Sequence, residues 1–269
     1  MASVDLDAVP LGVCEDGSPF TVRVRGGHVL CVGATGSGKG SLVQGLIRGL
    51  APAVATGLVR MAGFDLKGGM ELAAASPLFH LFVYEAEAAA DALEGLVADM
   101  KAREDRLRGV TRLHVPTADE PQYVILLDEL AELTAYVADR KLRARIDSAL
   151  ALLLTQGRAV GFSVIAALQD PRKEVLPQRG LFPTRLALRL AEADDIDMCL
   201  GRGARDKGAD CTAIPTGIAG AGVGYVWRDG EAEPVRVRLA WVSDDDIAEA
   251  VERYAPDTGG TVTRLVVPT

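Results

Sequence analysis

Apolar positions along the chain fall into two rhythms. Short apolar runs of strand length occur at 28–32, 58–64, 78–84, 123–127, 162–168 and 185–190, with two more at 224–227 and 235–241. The run at 123–127 shows no polar alternation, which predicts a strand buried on both faces. Between the runs the period lengthens to that of a helix. One helix is predicted over 41–50. A second, over 85–108, carries Leu93, Leu96, Val97, Met100 and Leu107 on one face, and a third, over 139–156, carries Leu142, Ile146, Ala149, Leu150 and Leu153. Oppositely charged pairs four apart (Asp99 with Arg103, Glu104 with Arg108) support the second helix, and Gly109 and Gly157 close the two. Strands alternating with helices predict an α/β fold, a mainly parallel sheet with helices on both faces. Turn chemistry at Asp16-Gly17 and alternation over 21–24 predict a short β lead-in over 1–26. The main domain is expected over 27–242, and a peripheral tail with a short acidic helix over 243–269.

Composition narrows this little, but charge changes the picture. The chain has 269 residues and a formal net charge of −8. A protein that grips nucleic acid over a broad face is usually basic, so any such contact has to be confined to a few basic loops. No apolar run approaches the roughly 18–20 residues of a membrane span, and no leader pattern opens the sequence. A cytoplasmic location is expected, with membrane association through a partner left open. Cys14, Cys31, Cys199 and Cys211 stand far apart without a C-x-x-C pair, which argues for reduced thiols and against a zinc site.

The chemistry is concentrated in two motifs. Gly33-Ala34-Thr35-Gly36-Ser37-Gly38-Lys39 lies between a predicted strand and a predicted helix, the context in which G-x-x-x-x-G-K cradles phosphate oxygens with backbone N–H groups and a lysine reaches the β and γ phosphates. Gly40 stands where a Mg²⁺-binding hydroxyl is usual, and Ser41 follows it; either Ser41 takes that role or water does. The second motif is the apolar strand ending in Asp128-Glu129. There Asp128 is expected to hold Mg²⁺ and Glu129 to polarise the attacking water of a nucleotide hydrolase.

Gly33–Lys39, Asp65-x-Lys67, Asp128-Glu129, Arg158-Ala159-Val160-Gly161, Leu168-Gln169-Asp170-Pro171 and Pro183-Thr184-Arg185 occur in an order that resembles the FtsK/SpoIIIE family over about residues 25 to 230. The Gly-Lys-Gly-Ser ending of the first motif and the stretch from Asp65 to Leu72 look most like the conjugative-transfer branch of actinomycete plasmids and integrative elements. The resemblance implies a RecA-like P-loop ATPase using ATP and Mg²⁺. It also implies a hexameric ring of like subunits and double-stranded DNA as the substrate moved. It makes Arg158 an arginine finger for the neighbouring subunit and Gln169 a polar sensor. By the same resemblance Arg172 and Lys173 with Arg179, and Arg202, Arg205 and Lys207, lie on two pore loops; Asp170 departs from the family's arginine there. Asp65 and Lys67 either couple the site to a neighbour or pair with each other. The rival readings are a type VII secretion-like protein translocase, an ATP-binding assembly module with little hydrolysis and, more distantly, a viral packaging motor.

Overall fold

The computed structural model describes residues 4–172 and 177–256 and the backbone of 263–264. In chain order the strands are β1 (Val9–Cys14), β2 (Pro19–Val22), β3 (Val29–Val32), β4 (Val59–Phe64), β5 (Phe79–Val83), β6 (Gln122–Leu127), β7 (Phe162–Leu168), β8 (Thr184–Leu188), β9 (Val223–Arg228), β10 (Val235–Leu239) and β11 (Thr263–Arg264). The helices are α1 (Lys39–Ala55), α2 (Ala86–Leu107), α3 (Leu130–Leu133), α4 (Arg140–Gln156), α5 (Ala193–Leu200) and α6 (Asp244–Tyr254).

One sheet runs in the order β11-β5-β4-β6-β7-β3-β8-β9-β10-β1-β2. From β11 to β8 every pairing is parallel; from β8 to β2 every pairing is antiparallel. The parallel strands alternate their side chains between two cores. On β3, Leu30 and Val32 face the core shared with α2, α4 and α5, while Val29 and Cys31 face the core shared with α1 and α6. On β6 the same split sends Ile125 and Leu127 one way and Val124 and Leu126 the other. This is why these strands read as unbroken apolar runs, and it matches the expected helices on both faces.

Three elements differ from expectation. Helix α1 continues past residue 50 to Ala55 with Pro52 inside it. The proline forfeits one hydrogen bond, but Ala51, Ala53 and Val54 are buried and hold the last turn in place. Helix α5 is predicted nowhere in the sequence reading, and it buries Ile196, Cys199 and Leu200 over the core side of β8. Helix α6, in the stretch expected to be peripheral, packs on α1: a Ser243–Asp246 capping box starts it, Ile247 and Ala250 are buried, and Asp246 meets Arg48 at 3.4 Å. Among the described residues no helix is long and apolar enough to cross a membrane.

Candidate nucleotide site

Sheet order assembles the site. The strands β4, β6, β7, β3 and β8 are neighbours and parallel, so the loops that leave their C-terminal ends meet along one edge, where ligands bind in open α/β sheets. The Gly33–Lys39 loop leaves β3, Asp128 and Glu129 leave β6, Gln169 leaves β7, Asp65 and Lys67 leave β4, and Arg189 leaves β8.

The phosphate-type loop is tied down on both sides. The amide of Gly33 donates to Leu168 O at 3.1 Å and that of Ala34 to Arg189 O at 2.9 Å. Gln169 Nε2 donates to Thr35 Oγ1 at 2.9 Å, and Arg189 Nη2 to Thr35 O at 2.8 Å. Gly36 and Gly38 have φ of 72° and 96°, which side chains rarely tolerate. A Cβ on Gly38 would also lie 2.4 Å from the amide of Gly222. Lys39 opens α1 and turns its ammonium back to donate to Gly33 O at 2.6 Å. Burial pushes that ammonium below its ordinary pKa, while Glu129 pulls it the other way. At Gly40 an added Cβ would meet nothing within 4 Å, so a hydroxyl there is absent for no steric reason. Ser41 lines the same cleft as Asp128.

The acids sit beside this loop. Burial is the main cause that raises the Asp128 carboxyl to about 6; the charges of Asp65 and Glu71 add to it, and Lys67 opposes. The Glu129 side chain is only 4% exposed. Its Oε1 accepts from the amides of Gln169 at 3.2 Å and Ala131 at 3.4 Å. Its Oε2 is buried without a hydrogen bond and faces Lys67 Nζ at 3.7 Å. Asp65 is spent on backbone amides: those of Lys67 (3.2 Å), Glu71 (2.8 Å) and Leu72 (3.1 Å). Of the two readings left open for Asp65 and Lys67, a mutual ion pair is therefore not what forms; the lysine turns to Glu129. The cleft lined by Lys39, Ser41, Lys67, Glu71, Asp128 and Gln169 has a volume of about 580 Å³.

Arg158 lies elsewhere. It is exposed in the turn just before β7, and its Nε donates to Gly26 O at 3.0 Å. The seven residues of β7 separate it from Gln169, roughly 20 Å of strand, so within one copy it does not meet the loop at Lys39. The two basic loops partly converge: Arg179 and Arg202 line one groove of about 550 Å³ with Arg185, Asp194 and Asp197. Other members turn inward. Arg172 Nε meets both Asp170 carboxylate oxygens at 2.8 and 2.7 Å. Arg205 lies 3.6 Å from Asp194. Lys207 donates to Ala232 O at 2.5 Å and stands 4.8 Å from the centre of the Trp227 ring. Lys173 lies outside the described residues.

Sequence reasoning missed three participants. Arg189 and Gly222 contact the loop only because β8 and β9 lie where they do. Trp241, at the end of an apolar run, reads as core but is 80% exposed on the cleft.

Comparison with known proteins bears on this geometry. Residues 4–116 match the FtsK/SpoIIIE family. A DNA translocase FtsK of Oceanobacillus iheyensis is 26% identical over 262 residues, covering 90% of this chain and 32% of that protein. One from Streptomyces avermitilis is 28% identical over 262 residues, covering 88% and 27%. The chain thus spans about a third of the length of the curated relatives it matches. Among solved structures, the pCW3 conjugation coupling protein TcpA, in its monomer form with ATPγS, superposes with a TM-score of 0.74 at 21% identity, covering 93% of this chain and 71% of that one. The cytoplasmic domain of the type VII secretion ATPase EccC of Thermomonospora curvata superposes at 0.73 and 22%, covering 95% and 32%. Residues 4–116 are thus similar to the FtsK/SpoIIIE family, the chain as a whole is similar to DNA translocases named FtsK, and its fold is the RecA-like P-loop fold of these ATPases.

Proposed function

We propose that the chain is the motor portion of an ATP-driven double-stranded DNA translocase, working as a hexameric ring in conjugative transfer or chromosome segregation, with any membrane attachment supplied by a partner. The observation that carries this reading is the meeting of Lys39, Asp128, Glu129 and Gln169 at one sheet edge. Backbone amides of the 33–39 loop and the N-terminus of α1 hold the phosphates. The Lys39 ammonium exchanges the Gly33 carbonyl for β and γ oxygens. Glu129 takes a proton from the attacking water, its carboxylate oriented by the Gln169 amide. Arg158, at the opposite edge, serves the site of a neighbouring copy and stabilises charge in the transition state. Asp128 and Ser41 are the residues that fit Mg²⁺, since Asp128 is a crowded, desolvated carboxyl that a cation would relieve; bound there, the ion would neutralise phosphate charge. Arg179 and Arg202 are the best placed of the loop cations to track a DNA backbone.

A protein substrate is the second reading. The net charge of −8 and the internal pairing of Arg172, Arg205 and Lys207 favour it. ATP turnover measured with and without double-stranded DNA over a salt series separates the two. A translocase is stimulated by DNA, and the stimulation fades as salt rises. Turnover indifferent to DNA at every salt concentration would contradict the DNA reading and leave the protein one.

A further inference from the structure

The cleft continues past the phosphate loop to a mouth with no assigned role. Its lining includes Trp241, Val242 and Ile247 together with Met70 and Ala74. Trp241 is 80% exposed and Met70 is 83% exposed. An indole so far in the open forgoes the favourable burial of a large apolar ring, and two large exposed apolar side chains lining one cleft are the kind of apolar surface that marks a binding site. Among the described residues the Trp241 ring has no hydrogen bond or ring partner.

Its position is nevertheless fixed with respect to the phosphate loop. Gly222 N donates to Ser37 O at 2.8 Å, and Leu239 N donates to Gly222 O at 2.9 Å. Two residues beyond Leu239 stands Trp241. Immediately after it, Val242 is buried and Ser243 caps α6, which Asp246 ties to Arg48 of α1. Backbone is thus held on both sides of a side chain that is itself unpartnered, a preorganised platform at the mouth of a phosphate-type cleft.

The geometry points to Trp241 as the base platform of this site: its ring stacks on the base of a purine nucleotide whose phosphates lie at the 33–39 loop, with Met70 closing the other side. This rests on the nucleotide reading proposed above. It makes Trp241 a specificity-determining residue, since base stacking on an aromatic ring favours the large purine π-face and is unavailable to a bare polyphosphate.

The test compares ADP with inorganic pyrophosphate, neither of which is consumed, by calorimetry in the presence of Mg²⁺. Wild type is expected to bind ADP more tightly than pyrophosphate. Trp241→Ala is expected to weaken ADP by about tenfold to a hundredfold and to leave pyrophosphate unchanged, while Trp241→Phe keeps most of the ADP affinity. The sequence holds two tryptophans, so in Trp227→Phe protein the remaining indole emission is that of Trp241, and ADP but not pyrophosphate should quench it. Equal affinity of wild type for the two ligands, or equal losses for both in Trp241→Ala, would overturn the base platform while leaving phosphate binding intact. Failure of wild type to bind either ligand would overturn it together with the nucleotide reading.

Discussion

The two edges of the parallel sheet are built from similar residues and do different things. At the C-terminal edge Lys39, Lys67 and Gln169 stand among Asp128, Glu129 and a glycine-bound loop; the cations there are aimed at acids or carbonyls of the site itself. At the N-terminal edge Arg158 is exposed and donates to the carbonyl of Gly26, and among the described residues it has no acidic partner. The first edge gathers within one copy the residues proposed to bind a phosphate chain. The second offers an exposed guanidinium held by a backbone carbonyl. On the function proposed above, this difference divides the chemistry between copies, binding on one edge and transition-state charge supplied from the other.

Substitutions sharpen that division. The largest effect is expected at Arg158: alanine there should lower ATP turnover by about 10³-fold, with ADP affinity unchanged in calorimetry. A parallel loss of binding would mean that Arg158 acts through its own copy. Next, Glu129→Gln should cut turnover by about 10²-fold or more and spare binding, because the amide cannot take the proton of water. Turnover equal to wild type would instead mark an assembly module that binds nucleotide without using it. Asp170→Asn should strengthen low-salt DNA binding by a few-fold, about 1 kcal/mol for one negative charge removed from beside Arg172, read by fluorescence anisotropy across a salt series. An unchanged salt slope would remove Arg172 from the DNA-facing set. Smallest is Gly40→Ser: the site has open space for the side chain and serine gains under about 1 kcal/mol of helix propensity over glycine, so folding should be retained and the Mg²⁺ concentration for half-maximal turnover should fall about two- to threefold.

How much of this was legible beforehand depended on whether a feature is local. The 33–39 loop could be read because glycine spacing, the apolar run before it and the helix after it all lie within 25 residues of sequence. Asp128-Glu129 could be read for the same reason. The Lys67–Glu129 contact could not, since it exists only because β4 is the neighbour of β6 in a sheet whose order is not sequential. Arg189 and Gly222 escaped notice for the same reason. The pairing of Arg172 with Asp170 was within reach, two residues apart, and the substitution of an acid for the family's arginine was its signal. Helix α5 was missed because it has only eight residues and opens with Asp194 and Asp195. Trp241 was hidden by its setting, an apolar side chain at the end of an apolar strand, where exposure depends on what the turn beyond it covers.

The claim that one copy binds and its neighbour completes the chemistry can be tested by mixing. Lys39→Ala protein keeps Arg158 but loses the lysine of its own cleft, and Arg158→Ala protein keeps the cleft but loses the finger. Each alone should hydrolyse ATP at near-background rates. In equimolar mixtures on double-stranded DNA, turnover should rise well above the sum of the two, because intact clefts then sit beside intact fingers. Mixtures no more active than their separate components, under conditions where wild type turns over and the variants co-assemble, would contradict the account.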